Sequence, residues 1–169
     1  IRAHASSTLS PSETIVLVNQ SLEKDNGNMM FVTLFYGILD IKTGSINYIN
    51  AGHNPPYIIR SEGAVEVIPG THDMALGIIE SNEYTPGQCQ LKANDTLFLF
   101  TDGVTEATNA QLELYTDKRL MLTLDEYRNL TASELINAME VDLVQFAAGY
   151  PQSDDITMLA IHYSGENKT

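Results

Sequence analysis

Leu97-Phe98-Leu99-Phe100-Thr101-Asp102-Gly103 is the stretch on which the reading of this chain turns. Four consecutive apolar residues leave no polar face, which is the pattern of a strand covered on both sides. The run then gives way to a Gly-containing turn. An ionised carboxylate at that point borders low-dielectric surroundings and needs a cation, a cluster of donors or both. Ser153-Asp154-Asp155 has the mirror arrangement, with two acids just ahead of the apolar run Ile156 to Tyr163. If the two strands are neighbours, the carboxylates converge at one end of a sheet. Hard oxygen ligands of this kind suit magnesium or manganese, which keep several waters and need few protein groups. The competing reading is that Asp102 and Asp154 are ordinary turn residues at strand ends.

Working outward, the middle of the chain reads as strands. Phe31 to Leu39 is rich in β-formers, Asp40-Ile41-Lys42-Thr43-Gly44 is a hairpin loop, and Ser45 to Asn50 returns as a strand. Tyr57 to Arg60 and Val65 to Ile68 flank a turn through Ser61-Glu62-Gly63. Tyr84 to Leu91 and Thr96 to Thr101 are two more strands, joined at Lys92-Ala93-Asn94-Asp95. Helices bracket this region. Ile1 to Ser6 resembles the end of a helix. Ser10-Pro11-Ser12-Glu13 is a capping box with proline at the first helical position, followed by Ile15, Val18 and Leu22 at helical spacing and closed by Asp25-Asn26-Gly27-Asn28. Thr131-Ala132-Ser133-Glu134 is a second capping box, behind which Leu135, Ile136, Met139, Leu143 and Phe146 share a face. A shorter helix is expected over Thr116 to Thr123. The order suits an α+β domain with antiparallel sheet covered by helices, spanning 1–163 and followed by a polar tail, 164–169.

Composition narrows the function. Of 169 residues, 43% are hydrophobic and 18% charged, which permits a core; the net charge of −13 disfavours nucleic acid and anionic membranes as partners. No apolar run is long enough to insert into a membrane, and Ile1 to Pro11 lacks the features of a signal peptide. Cys89 is the single cysteine, so a cytoplasmic setting is the simpler expectation. There is no G-x-G-x-x-G, P-loop or G-x-S-x-G pattern, and His4, His72 and His162 have no metal-ligand spacing. Asn50-Ala51-Gly52-His53-Asn54-Pro55-Pro56 remains. Gly52 permits a tight backbone and the prolines hold the exit extended. His53 reads either as a group near a metal or phosphate, or as a hydrogen-bonded histidine in a structural connection.

Met30 to Tyr36, Asn50 to Pro56, Leu97 to Ala107 and Gln152 to Thr157, in this order and spacing, resemble the SpoIIE-like bacterial branch of the metal-dependent PPM serine/threonine protein phosphatases. The resemblance reaches to about Tyr163. It implies a β-sandwich of antiparallel sheets flanked by helices, here lacking its first strands. It implies that Asp102 and Asp154 are metal ligands of a binuclear Mn2+ or Mg2+ centre, with Asp155, Gly103 and His53 in support and no catalytic group beyond the ligands. The implied reaction is hydrolysis of phosphoserine or phosphothreonine in a bacterial signalling protein, with a STAS-type anti-sigma-factor antagonist as the typical substrate and a sensor or receiver module upstream.

In that family, acidic glycine-aspartate motifs upstream supply further ligands. This chain starts inside what resembles the helix after them, so the fragment by itself is expected to be inactive, not to hold the two cations of the intact domain, and to self-associate through exposed sheet edge. Leu114-Tyr115-Thr116 departs from the Phe-Gly pair usual there. Two other readings stand beside the enzyme: a non-catalytic partner-binding module with a degenerate phosphatase fold, and an unrelated β-rich domain.

Overall fold

The described residues form two antiparallel sheets and three helices, each sheet in its own compact unit. The computed structural model describes residues 1, 9–24, 27, 30–71, 73–79 and 81–165. The expected helix remnant up to Ser6, most of the helix stop after Lys24, His4, His72 and the end of the polar tail lie outside the described residues.

The first unit comprises Ile1–Pro55 and Pro69–Gln90. Its helix α1 (Pro11–Lys24) starts on the expected capping box. The Ser10 N–H donates to Glu13 Oε2 at 2.8 Å, and the Glu13 N–H donates to Ser10 Oγ at 3.2 Å. Each bond satisfies a donor the helix start leaves open. Ile15 and Val18 are buried against Ile49, Ala51, Leu76 and Tyr84, whereas Leu22 is 38% exposed and leaves the core face. Strands β1 (Leu34–Leu39), β2 (Ser45–Ala51) and β5 (Gly87–Gln90) form a sheet in the order β1-β2-β5. The β1–β2 hairpin runs from Leu34↔Ala51 to Leu39↔Ile46. Its loop is held by Asp40 Oδ1, which accepts from the N–H groups of Lys42 and Thr43.

Three strands start later than their composition suggests, the last of them, expected from Ile156, at Met158. Val32 makes only a lone bridge to Leu76, so the ladder begins at Leu34. Tyr84 is buried, but the Thr85 N–H is spent on Asp73 and Pro86 has none to give, so β5 begins at Gly87.

The second unit comprises Pro56–Ile68 and Leu91–Thr169. Strands β3 (Tyr57–Ile59), β4 (Val65–Val67), β6 (Asp95–Phe100) and β7 (Met158–Tyr163) form a sheet in the order β4-β3-β6-β7. Strands β5 and β6 therefore belong to different sheets, and Lys92 to Asp95 is a connection rather than a hairpin. The apolar run is the interior strand, with β3 on one side and β7 on the other. Phe98 and Phe100 pack with Tyr57, with Leu120 and Leu124 of α2 (Thr116–Glu126), and with Leu135, Met139 and Leu143 of α3 (Ala132–Ala147). Burying side chains of this size contributes about 1.5–3 kcal/mol each, which is why the run tolerates no polar residue before Thr101. The second capping box forms as expected at Thr131 and Glu134. Among the described residues no helix is long and apolar enough to cross a membrane.

Candidate metal-binding site at the end of the second sheet

Strands β6 and β7 are antiparallel neighbours, with Phe100 opposite Met158 at the end of the ladder. Asp102 follows β6 and Asp154 precedes β7, so both carboxylates fall at the same end of this sheet. The register continues one step beyond the strands, where the Thr101 N–H donates to the Thr157 carbonyl at 3.0 Å. The chain then turns sharply. The Val104 N–H donates to the Thr101 carbonyl at 3.0 Å and the Glu106 N–H to the Asp102 carbonyl at 2.8 Å.

Gly103 lies directly on the opposing segment. A Cβ there would stand 2.5 Å from the Asp155 carbonyl oxygen and 3.2 Å from that of Asp154. Only a residue without a side chain lets the two loops approach so closely. The Thr101 hydroxyl ties them further, donating to the Asp155 carbonyl at 2.8 Å and accepting from the Thr157 N–H at 2.9 Å. The Gln152 amide nitrogen donates to the Asp154 carbonyl. The sequence marks neither as a site residue: the role of Thr101 depends on a register between segments more than fifty residues apart, and that of Gln152 on the local fold of the loop before β7.

Asp102, Asp154 and Asp155 are all exposed. Asp102 Oδ1 accepts from the Gly103 N–H at 3.0 Å, and Asp154 Oδ1 accepts from the Asp155 N–H at 2.6 Å. These local bonds orient the two side chains, and each retains a second oxygen for a cation. Hard carboxylate oxygens on an open sheet end fit a share of a magnesium or manganese coordination sphere. They do not complete one: among the described residues no group of three or more His, Cys, Asp or Glu side chains could hold a metal ion.

An apolar cavity of about 210 Å³ borders the same two loops, with Ala107, Leu143, Ala147, Tyr150 and Ile156 among its walls. Nearby, the departure at Tyr115-Thr116 has a structural consequence. Tyr115 is 1% exposed, its hydroxyl donates to Asp142 Oδ2 at 2.5 Å, and burial together with Asp142 pushes the phenol up to about 12. Thr116 has φ +68°, a left-handed conformation that a β-branched residue adopts only under strain.

His53 belongs to the first unit. Gly52 has φ +71°, and a Cβ there would come within 3.0 Å of the Ala75 nitrogen, so the loop needs its glycine. The His53 N–H donates to Asn50 Oδ1 at 2.8 Å, and its Nδ1 is 3.3 Å from the Thr33 hydroxyl. The ring borders a polar cavity of about 260 Å³ that also includes Thr71 and Asp73. Cys89 is half-buried within β5, and His162 bonds Thr96 across the β6–β7 pair.

An α+β framework of antiparallel sheets with helices is the fold expected of the PP2C-type phosphatase domains. Solved structures bear out that fold. The SiaA PP2C domain of Pseudomonas aeruginosa superposes with a TM-score of 0.76 at 18% identity, covering 89% of this chain and 59% of that one. The PP2C phosphatase domain of SpoIIE from Bacillus subtilis, with a fragment of its regulatory domain, gives 0.75 at 21% identity over 92% of this chain and 46% of that one. The chain belongs to the SpoIIE family, whose model (Stage II sporulation protein E) matches residues 1–164. Among curated relatives, protein IcfG of Synechocystis is 36% identical over 148 residues, 86% of this chain and 23% of that protein. The phosphoserine phosphatase RsbU of Bacillus subtilis is 25% identical over 153 residues, 89% of this chain and 44% of that protein. The chain thus spans less than half the length of the curated relatives it matches.

Proposed function

We propose that this chain forms the Asp102–Asp154 side of a metal-dependent phosphoserine/phosphothreonine protein phosphatase of a bacterial signalling regulator. The observation that carries the reading is the β6–β7 register, which brings the carboxylate after one strand and the carboxylate before the other to one sheet end. Asp102 and Asp154 would each hold Mn2+ or Mg2+ through the oxygen not engaged by a backbone N–H. When bound, such cations supply Lewis acidity, making water a competent nucleophile and offsetting charge on the phosphoryl oxygens. Gly103 admits the close approach of the two loops, and Asp155 supports the second one through its backbone. His53 is a supporting residue within its own unit.

The substrate in this proposal is a phosphoserine on a regulatory protein, a STAS-type anti-sigma-factor antagonist, in the cytoplasm and under an upstream sensor or receiver module. The name of the RsbU relative as a phosphoserine phosphatase supports the reaction class. Catalysis by two cations needs acidic ligands beyond Asp102 and Asp154, so the 169-residue chain alone is expected to turn over little or no substrate and to self-associate. The same shortage favours a second reading, a partner-binding module that does not hydrolyse.

The two separate on one experiment. The intact protein is incubated with a serine-phosphorylated STAS-domain protein and Mn2+, and phosphate loss is followed by mass spectrometry. Release that stops on chelation supports the enzyme. Stable binding with no release supports the module.

A further inference from the structure

We propose that Thr101 is a positioning residue that fixes where Asp154 stands relative to Asp102; the role rests on the reading of those two carboxylates as metal ligands. In an antiparallel ladder, two residues of a hydrogen-bonded pair exchange both bonds, each N–H donating to the other's carbonyl. Thr101 and Thr157 are such a pair, and one bond is present, from the Thr101 N–H to the Thr157 carbonyl at 3.0 Å. The usual return bond, from the Thr157 N–H to the Thr101 carbonyl, is not made. The Thr101 carbonyl is taken by the Val104 N–H, because the chain turns immediately to present Asp102.

The Thr101 side chain fills the gap. Its Oγ1 accepts the Thr157 N–H at 2.9 Å, standing in for the diverted carbonyl, and its proton goes to the Asp155 carbonyl at 2.8 Å. One hydroxyl therefore lets β6 end in a sharp turn while the ladder to β7 is still completed. It also pins the backbone one residue from Asp154. No other side chain among the described residues bonds both groups. Valine has the same shape without the hydroxyl and would leave a donor and an acceptor unmatched. Serine retains the hydroxyl.

The test is nuclear magnetic resonance on the intact protein as wild type, Thr101→Val and Thr101→Ser, titrated with Mn2+. Paramagnetic broadening of the Gly103 and Asp155 amides reports weak binding next to each carboxylate. In the wild type both amides should broaden together. In Thr101→Val the Mn2+ concentration needed should rise at least tenfold, the usual cost of removing a group that orients a ligand. Exchange of the Thr157 amide should speed up by a similar factor. Thr101→Ser should restore both readings.

Broadening in Thr101→Val at wild-type Mn2+ concentrations overturns the positioning role while leaving the metal reading intact. So does a serine variant no better than valine, since loss of packing alone would then explain the effect. An intact wild-type protein in which neither amide broadens overturns the metal reading and this role with it.

Discussion

Replacing Gly103 with alanine should disable the site by displacement rather than by removing any ligand. The φ of Gly103 is not left-handed, so alanine is permitted by the backbone and only space is lacking. Its Cβ would stand 2.5 Å from the Asp155 oxygen, where ordinary contact needs 3.4 Å, so the loops must separate by about 0.9 Å. The Thr101–Asp155 bond, now 2.8 Å, would stretch beyond hydrogen-bonding range. Over-packing of this kind costs about 1–3 kcal/mol. An ångström of misplacement at a reacting centre costs on the order of 100-fold in rate. The assay is urea unfolding together with Mn2+-dependent hydrolysis of p-nitrophenyl phosphate by the intact protein. Gly27→Ala serves as the control, because a Cβ there meets nothing within 4 Å. Activity of Gly103→Ala within twofold of the control would refute the idea that contact between these loops sets the site.

Three further outcomes are expected. Thr116→Gly should relieve the strain of φ +68° and raise stability by about 1 kcal/mol, net of the weak 3.4 Å bond from the Arg119 N–H to the threonine hydroxyl, read as a melting temperature higher by about 2–4 °C; an unchanged or lower value contradicts the strain. Asp95 is 1% exposed, and although burial alone would raise its pKa, the N–H groups of Lys92 and Ser61 and the Arg60 guanidinium outweigh it and hold the carboxyl below 3.8. Its contribution is therefore complete above about pH 4 and lost as pH falls through the lower folded value, so urea stability should drop there in the wild type and less in Asp95→Asn; equal slopes contradict the assignment. Among the described residues strand β1 has a neighbour on one side only, and Met30, Phe31 and Ile41 are 70%, 63% and 75% exposed, so the chain should self-associate at high concentration, and a monomer in light scattering at about millimolar protein contradicts this.

How much of this was legible in sequence follows from how local each determinant is. Both capping boxes could be read because the four residues that bond each other are adjacent, and α1 and α3 start where they were expected. The run Leu97 to Phe100 was read as a doubly covered strand because burial on two faces leaves a composition of its own. Strand starts were harder. Val32 and Tyr84 have strand-like side chains, but Leu76 offers a single bridge and Pro86 has no N–H. Lys92 to Asp95 resembles a hairpin loop, and only long-range pairing shows that β6 takes β3 and β7 as neighbours instead of β5. At the candidate site the acids stood out by their place at strand ends. The Thr101 hydroxyl did not, since it matters only once Thr157 is opposite and the Thr101 carbonyl has turned away. Gly103 was noted as a turn residue, and its closeness to Asp155 needed the structure.

The most direct measurement is Mn2+-dependent hydrolysis of p-nitrophenyl phosphate by the intact protein as wild type, Asp102→Asn and Asp154→Asn. Each substitution keeps side-chain size and removes the charge that binds a cation. The account predicts metal-dependent turnover in the wild type and a loss of at least 100-fold in each variant. Wild-type turnover in both variants would contradict it.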